Sequence, residues 1–509
     1  VLSVLHKENI TLVALSPDRT PVIIGVGEIT DRPEDPGHGL EPLALMAEAL
    51  RRAEQDAGIS LLSRLDSLDV VNQVSWPYAD LPAELADTIG ATPAHAFYGP
   101  VGGESPVRFL HQAAARIARG ESQVAAICGA EAQNTLDRAR RAKVQLPWTA
   151  KPEHYDPPLR GADFVHAAAL NLGVFMPITI YPFYENATAA FWGQTPVQAQ
   201  AESGALWSEF ARVAAGNPYA WLGRPHMPAE ITTPTVANRL IAWPYTKLMV
   251  ANPSVNQGGA VLMTTLAIAR AAGVPEHQLI YVHGGAAAQE PRDYLQRDIY
   301  HGSSAQDAVL HAVQKIAGGH GFDAVELYSC FPCVPKMARR TLGLPAEMVP
   351  SVTGGLTFFG APLNTYMTHA ACAMVRHLRA AAGTGLLYGQ GEFVTKHHGL
   401  VVARHPDEAG TILHPGSVQV EADRARGPVP VFSTTAEGEA ALESFTVIYD
   451  REGAPSHGAV IARVGAERVL ARVPADDDDG IARLTDLTVS PIGATGHITA
   501  AGDELRWAF

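Results

Sequence analysis

Cysteine is scarce in this chain of 509 residues: Cys128, Cys330, Cys333 and Cys372 are the whole set. Four thiols in so long a chain cannot make the dense disulfide framework of small secreted domains, and they fit a reduced, cytoplasmic setting. Positive charge is also short. Lys and Arg number 38 against 52 Asp and Glu, a formal net charge of −14. That balance argues against nonspecific nucleic-acid binding and against a basic membrane-surface role. No run of eighteen apolar residues occurs, so no membrane span is expected. The opening "VLSVLHKENITLVALS" lacks a basic start followed by a long apolar core. It reads as a loose leader rather than a signal peptide. Aromatic residues make up 7% and charged residues 18%, beside 47% hydrophobic residues. This is an ordinary soluble globular balance, and the length calls for two to four domains.

What is present is an alternation of strands and helices. "PVIIGVGEIT", Pro21 to Thr30, is a continuous apolar run and predicts a fully buried strand. Its Gly25 and Gly27 resemble the start of a dinucleotide fingerprint, but Thr30 stands where the third glycine belongs. Leu43, Met46, Ala47 and Leu50 then recur at helical spacing. Further on, "VGGESPVRFLHQAAARIARGESQVAAICGAEA" reads as a glycine turn, a helix and a buried strand. Ser105 followed by Pro106 reads as an N-cap and first helical residue.

The order repeats. "LDVVNQVSWPYADLPAELADTIGATPA" and "FDAVELYSCFPCVPKMARRTLGLPAE" both run strand, short loop, helix and glycine-containing stop. Such a repeat predicts a duplicated α/β half, with a mostly parallel sheet and helices on its faces. Between the copies, residues 133–249 are rich in Pro, Trp and Tyr, as in "YPFYENATAAFWGQTP", and predict an inserted loop domain over the sheet edge. After Arg404 short β-rich runs punctuated by Gly453, Gly465 and Gly480 predict an appended small antiparallel β-barrel. The acidic run Asp476 to Asp479 reads as a solvated turn, not a metal site.

From about Thr20 to Ala403 the chain resembles the thiolase superfamily, and is acetyl-CoA acetyltransferase-like. "GGESPVRFLHQAAARIARGESQVAAICGAEA" is similar to the nucleophile loop, helix and strand, and "YTKLMVANPSVNQGGAVLMTT" to the return into the first half. "VELYSCFP" resembles the Asn-Glu-Ala-Phe or His-Asp-Cys-Phe motif. "GGLTFFGAPLNTYMTHAACAMV" resembles the Gly-His-Pro segment, and "GLLYGQGEFVTKHHGLVV" the last Cys-x-Gly strand turn. The resemblance implies a five-layered αβαβα thiolase fold. Its N-terminal half would take residues 19–132 and 250–275, the loop domain 133–249, the C-terminal half 276–403, and an extra OB-like β domain 404–509.

It also implies where the chemistry should sit. The family's cysteine nucleophile takes an acyl group at a helix N-terminus, a histidine activates it, and a second cysteine moves a proton. Carried over, the nucleophile position is Gly103 and the histidine position Ala361. The second cysteine falls at Gly389, or at Tyr388 one step earlier. The fourth motif has Tyr328 in place of Asn or His, and Cys330 matches a cysteine that some members use as acid/base. Losing nucleophile, histidine and one acid/base group together leaves no thiolase route. The loop is then scaffold, with an anion site at the helix start as its residual role.

Tyr328 and Cys330 remain as candidate catalytic residues. Thiolase-like aldolases that cleave acyl-CoA side chains also lack the cysteine and resemble this chain in placing a tyrosine in the fourth motif; they work with an OB-fold partner. Ser329 stands where that motif has aspartate, and a strand tyrosine is also good packing. Ser254 matches a family serine that touches the pantetheine arm of CoA, although an ordinary turn explains it equally well. Cys330 and Cys333 form a C-x-x-C without a second pair, so zinc is not expected. His397 and His398 should point to opposite faces of a strand, and His369 should lie on the helix after the Gly-Ala-Pro turn.

The expectation is a thiolase-like protein that binds acyl-CoA or a related thioester without thiolase activity, in an accessory role in lipid metabolism. The alternative is a cysteine-independent aldolase acting on an acyl-CoA. No cofactor is required, and CoA or acyl-CoA is the candidate ligand. The family implies a homodimer through the strand near "HAFYGPVGG"; with the extra domain over that edge, a monomer is the alternative.

Overall fold

The computed structural model describes residues 16–319, 321–406 and 416–509. The leader read at residues 1–16 therefore lies, but for its last residue, outside the described residues. Nine strands carry the core. They are β1 (Pro21–Thr30), β2 (Ser67–Val70), β3 (His95–Tyr98), β4 (Val124–Ala132), β5 (Asn256–Thr265), β6 (Ile280–Gln289), β7 (Ala324–Leu327), β8 (Thr384–Gly391) and β9 (Lys396–Ala403). They lie in the order β3-β2-β4-β5-β1-β6-β9-β8-β7.

The two halves repeat across the β1–β6 junction. From the junction outward, β1·β5·β4·β2 pair antiparallel, antiparallel, parallel. The run β6·β9·β8·β7 pairs in the same sense at each step. The two segments matched in the sequence, "LDVV" and "DAVEL", become β2 and β7, at equivalent positions of the two halves. The mostly parallel sheet expected from the alternation of elements is not what forms. Among these nine strands only β3·β2, β2·β4 and β8·β7 run parallel; the short segment Gly416–Ser417 adds a parallel pair with β6. The reason is connectivity: β5 re-enters after the long insertion, and β9 follows β8 through a tight hairpin, which can only pair antiparallel.

Two helices, Ser105–Arg119 and Tyr366–Ala381, pack against each other and against strands of both halves. The helix Pro42–Ala57 covers β1, β4 and β5 from outside, and Ser304–Ile316 covers β6 and β9. This gives the five layers. The central helices are nearly free of exposed apolar surface: Val107, Leu110, Ala114 and Ile117 are buried, as their spacing predicts. Gly25 and Gly27 are packing glycines. A Cβ at either would run into the backbone of Ala53 or Ala49 on the Pro42–Ala57 helix, so strand and helix touch at a distance no side chain would allow.

The C-terminal region closes into a barrel of β10 (Gly438–Tyr449), β11 (Pro455–Val464), β12 (Glu467–Pro474), β13 (Thr495–Ala501) and β14 (Glu504–Ala508). Its pairs β10·β11, β11·β12, β13·β14 and β10·β13 are antiparallel, and β12·β14 closes it in parallel. Trp507, Phe445, Val447 and Val469 fill it. Sheet membership crosses the limits expected from sequence. Leu240–Ala242, within 133–249, pairs with β10, while Gly416–Ser417 pairs with β6 of the core. The barrel is also tied to the insertion: Ser444 Oγ donates to the Phe183 carbonyl at 2.6 Å, and Asn186 Nδ2 to the Phe445 carbonyl at 2.8 Å. Arg468, wholly buried, donates to the carbonyls of Leu295 at 3.1 Å and Asp298 at 3.2 Å.

The acidic run is more ordered than a solvated turn. Asp477 caps the helix Asp478–Leu484, accepting from Gly480 N at 2.9 Å. Among the described residues no helix is long and apolar enough to cross a membrane, and no group of three His, Cys, Asp or Glu is placed to hold a metal ion.

Candidate functional site

The glycine turn enters the Ser105–Arg119 helix as expected, with the cap one residue earlier. Glu104 is the N-cap, and Ser105 is the first helical residue. Ser105 does not cap; its hydroxyl donates to the Pro100 carbonyl at 3.3 Å. Asn364, just after the Gly-Ala-Pro turn, fixes the loop. It accepts from Gly102 N at 3.0 Å and donates to the Asn72 carbonyl at 3.0 Å.

At Gly103 a Cβ would collide with the Tyr328 hydroxyl and would lie 2.6 Å from the ring carbon that bears it. The phenol therefore takes up the volume that a side chain at Gly103 would need. Tyr328 follows β7, and its N–H donates to the Tyr388 carbonyl at 3.0 Å. Its ring meets Tyr366 edge-on at 6.0 Å. Burial, with Cys330 and Glu104 adding to it, pushes the phenol well above its ordinary pKa. Near neutral pH the group is thus a proton donor, not a phenolate base.

Cys330 joins it. Its thiol points at Gln390 Oε1 at 3.8 Å, and Tyr181 Oη donates to the same oxygen at 2.8 Å. Tyr181 comes from the insertion helix Pro177–Phe191 and stacks on Phe331 at 4.3 Å. Burial pushes the Cys330 thiol up to about 12, so it stays protonated and is a poor nucleophile. Cys333 does not share the site. It opens the helix Cys333–Leu342 beside the Tyr245 hydroxyl at 3.6 Å, its pKa also raised by burial. Both thiols are free.

Glu104 is the residue nearest the turn that sequence reasoning passed over. It is 4% exposed, and its carboxyl group folds between Gly102 and Gly391. Its Oε2 is buried without a hydrogen-bond partner among the described residues. Desolvation raises its pKa, opposed by the charges of Lys396 and Arg108. The anion site expected at this helix start is therefore filled from within: the Glu104 carboxyl group faces the turn and takes the space an anion would use.

Backbone hydrogen bonds draw the other sequence-derived positions together. Ala251 N donates to the Cys330 carbonyl at 3.1 Å, and Ala361 N to the Asn252 carbonyl at 2.9 Å. Ser254, two residues on, is half-buried and accepts from Asn134 Nδ2 at 3.3 Å. A Cβ on Gly389 would lie 2.9 Å from the Glu104 Cα and 3.1 Å from Val107. That position faces the helix, and its neighbour Gln390 sends its side chain to Cys330. Gln390 and Tyr181 were invisible in the sequence because 209 residues separate the pair.

The histidines lie elsewhere. His369 is buried on the Tyr366–Ala381 helix and pairs with Glu28 Oε1 at 2.6 Å. His397 meets the Tyr388 hydroxyl at 2.7 Å, and burial lowers it to about 4. His398 meets His111 at 2.9 Å on the opposite face.

Residues 418–503 match a family model described as the thiolase-like protein type 1 additional C-terminal domain. Over almost the whole chain the fold is similar to a monomeric SCP2-thiolase like protein type 1 from Mycobacterium smegmatis. The identity is 28%, the TM-score 0.79, and 97% of this chain and 99% of that one are covered. Two further solved structures share the core. An Ltp2-ChsH2(DUF35) aldolase is 18% identical, with TM-score 0.58, covering 77% of this chain and 99% of its own. The human mitochondrial 3-ketoacyl-CoA thiolase in complex with CoA is 12% identical, with TM-score 0.53, covering 77% and 99%. No curated protein matches the sequence at a significant level.

Proposed function

The chain belongs to the thiolase superfamily, and on that premise we propose that it binds an acyl-CoA or a related thioester and does not perform thiolysis. One observation carries the second half: the Tyr328 phenol and the Gln390 carbonyl take up the space that the Cβ of a cysteine at Gly103 would need. Cys330 is no replacement, because burial keeps it a thiol. Ala361 supplies no imidazole, and neither Gly389 nor Tyr388 supplies a second thiol. The binding half rests on the segment Ala251 to Ser254, tied to Cys330 and Ala361, and on the fold shared with a thiolase solved with CoA. An accessory role in lipid metabolism follows from such a ligand. The monomer is favoured over the family's homodimer, since the similar protein at 28% identity is described as monomeric.

Calorimetric titration tests this directly. CoA and acetyl-CoA should give saturable heat at micromolar to millimolar concentrations, and acetoacetyl-CoA with CoA should give no acetyl-CoA. Absence of binding at millimolar CoA removes the reading.

The second reading is a cysteine-independent aldolase. Tyr328 favours it: a retro-aldol cleavage needs a base to take the 3-hydroxyl proton and a donor to the thioester oxygen, but no acyl-enzyme, and the phenol, held protonated, fits the donor role. Replacing Tyr328 with Phe should then abolish cleavage while leaving CoA binding within about threefold, since the ring and its packing are kept.

A further inference from the structure

An open cleft of about 460 Å³ lies between the start of the helix Leu81–Ile89, the outermost strand β3 and the loop 154–156. Three tyrosines line it: Tyr78, Tyr98 and Tyr155. Two of their hydroxyls are already engaged in both senses. Tyr78 Oη donates to Glu41 Oε2 at 2.9 Å and accepts from Leu43 N at 3.1 Å. Tyr98 Oη donates to the Gln73 carbonyl and accepts from Gln73 N, both at 3.2 Å. What these two side chains offer a ligand is therefore ring surface. Pro82 and Ala96 add apolar wall. Two carboxylates, Asp80 and Asp156, also line the cleft, with His154 beside them and, among the described residues, no Lys or Arg. Asp80 caps the helix, its Oδ1 accepting from Ala83 N at 3.2 Å, and Glu84 accepts from Asp80 N at 3.1 Å. The helix start is thus answered by carboxylates of its own, and an anion gains little there.

Rings and carboxylates around one cavity attract the same kind of ligand. The face of an aromatic ring carries negative potential, and a carboxylate adds a full charge. The neighbouring chain already uses the first effect: Lys151 Nζ lies 4.4 Å from the centre of the Trp76 ring. We propose that this cleft binds a small organic cation with a quaternary ammonium head group. Such a head group has no N–H to satisfy, and its methyl groups bring the charge against ring and apolar wall alike. A primary ammonium brings three donors to a wall whose buried hydroxyls are already taken. The cleft shares no residue with the turn at Gly103, so the proposal stands apart from the acyl-CoA reading.

The test titrates the full chain with choline and with 3,3-dimethylbutan-1-ol, its uncharged isostere with carbon in place of nitrogen. Saturation-transfer NMR on the methyl signal reads both. Choline should bind saturably, with a Kd on the order of millimolar or below, and at least about fivefold tighter than the alcohol. Tyr155→Ala and Asp156→Asn change exposed positions of the loop, and each should weaken choline by about threefold or more. Tyr328→Phe should leave it unchanged. Equal affinity for the two probes would make the cleft merely apolar and overturns the proposal. No saturation by choline at roughly tens of millimolar does the same. Choline affinity that both loop variants leave intact, or that Tyr328→Phe removes, places the cation elsewhere and also overturns it. The comparison of the two probes decides alone if a loop variant does not fold. None of these outcomes touches the CoA titration, so this proposal and the acyl-CoA reading fail separately.

Discussion

Two buried carboxylates sit on the same face of this core and are treated in opposite ways. Glu326, on β7, is fully enclosed and saturated with donors. Its oxygens accept from Tyr366 Oη at 2.6 Å, Val352 N at 2.8 Å, Ser351 Oγ at 3.0 Å and Thr353 N at 3.1 Å. Glu104, on the neighbouring turn, is almost as deep but keeps Oε2 unpartnered. Burial raises both pKa values, to about 7 for Glu326. Depth therefore does not separate them; the supply of donors does. A carboxylate whose lone pairs are all answered by its own chain organises that chain, here the loop 351–353 and the start of the Tyr366–Ala381 helix. One that is not answered bears the cost of burial without ordering the chain around it.

The sharpest way to break this contrast is truncation. Glu326→Ala removes the acceptor that these donors share and should cost about 3–5 kcal/mol in urea unfolding. Glu104→Ala removes a stranded acceptor and should lie within about 1 kcal/mol of the wild type, on either side. Equal losses would dissolve the distinction.

Titration gives the next largest effect. Glu326 has its folded pKa raised from 4.5 to about 7, so the native state holds the proton more tightly than the unfolded chain. Its stabilisation is complete below about pH 4.5 and is lost as the pH climbs through 7, by up to about 3 kcal/mol. Glu131, also raised to about 7 by burial, adds a slope of the same sign. The difference between wild type and Glu326→Gln cancels Glu131, and it should retain the Glu326 slope alone when unfolding is followed from pH 4.5 to 8.

The third test addresses the turn itself. Gly103→Cys forces a side chain into the Tyr328 hydroxyl and should cost about 1–3 kcal/mol as overpacking. Tyr328→Ala in the same chain should recover the part owed to the phenol, a coupling read from a double-mutant cycle, while the clash with the Gln390 carbonyl, 2.5 Å from the same Cβ, remains. Restoring the sulfur alone should give no thiolysis, since Ala361 still offers no base.

How much of this could be read in advance depended on distance along the chain. The helix face Val107, Leu110, Ala114 and Ile117 and the buried run of β1 were legible because their periodicity is local. The duplication was legible because two short segments keep the same order of elements, and they became β2 and β7. Strand direction was not: it depends on where β5 re-enters after an insertion of more than a hundred residues. Cys330 and Tyr328 could be named from a motif, but their partners Gln390 and Tyr181 are brought in by tertiary packing. Glu104 stood inside the quoted turn and was passed over for a different reason. A lone carboxyl beside two glycines reads as solvated until the strand bearing Gly391 is seen closing over it.

A third carboxylate completes the series and carries the smallest effect. Asp477 is only half-buried, at the edge of the barrel, and its single task is to accept from Gly480 N at 2.9 Å. Water can replace that bond on both sides of the equilibrium, so Asp477→Ala should cost about 1 kcal/mol, the usual worth of an N-cap. The loss should be confined to the barrel end of the molecule, where the helix Asp478–Leu484 packs on β10, β11 and β12. Amide exchange should quicken in that helix and leave the Ser105–Arg119 helix unchanged. An equal change at both would mean that the barrel and the core open together, and that the carboxylates differ less by their local donors than by a shared unfolding event.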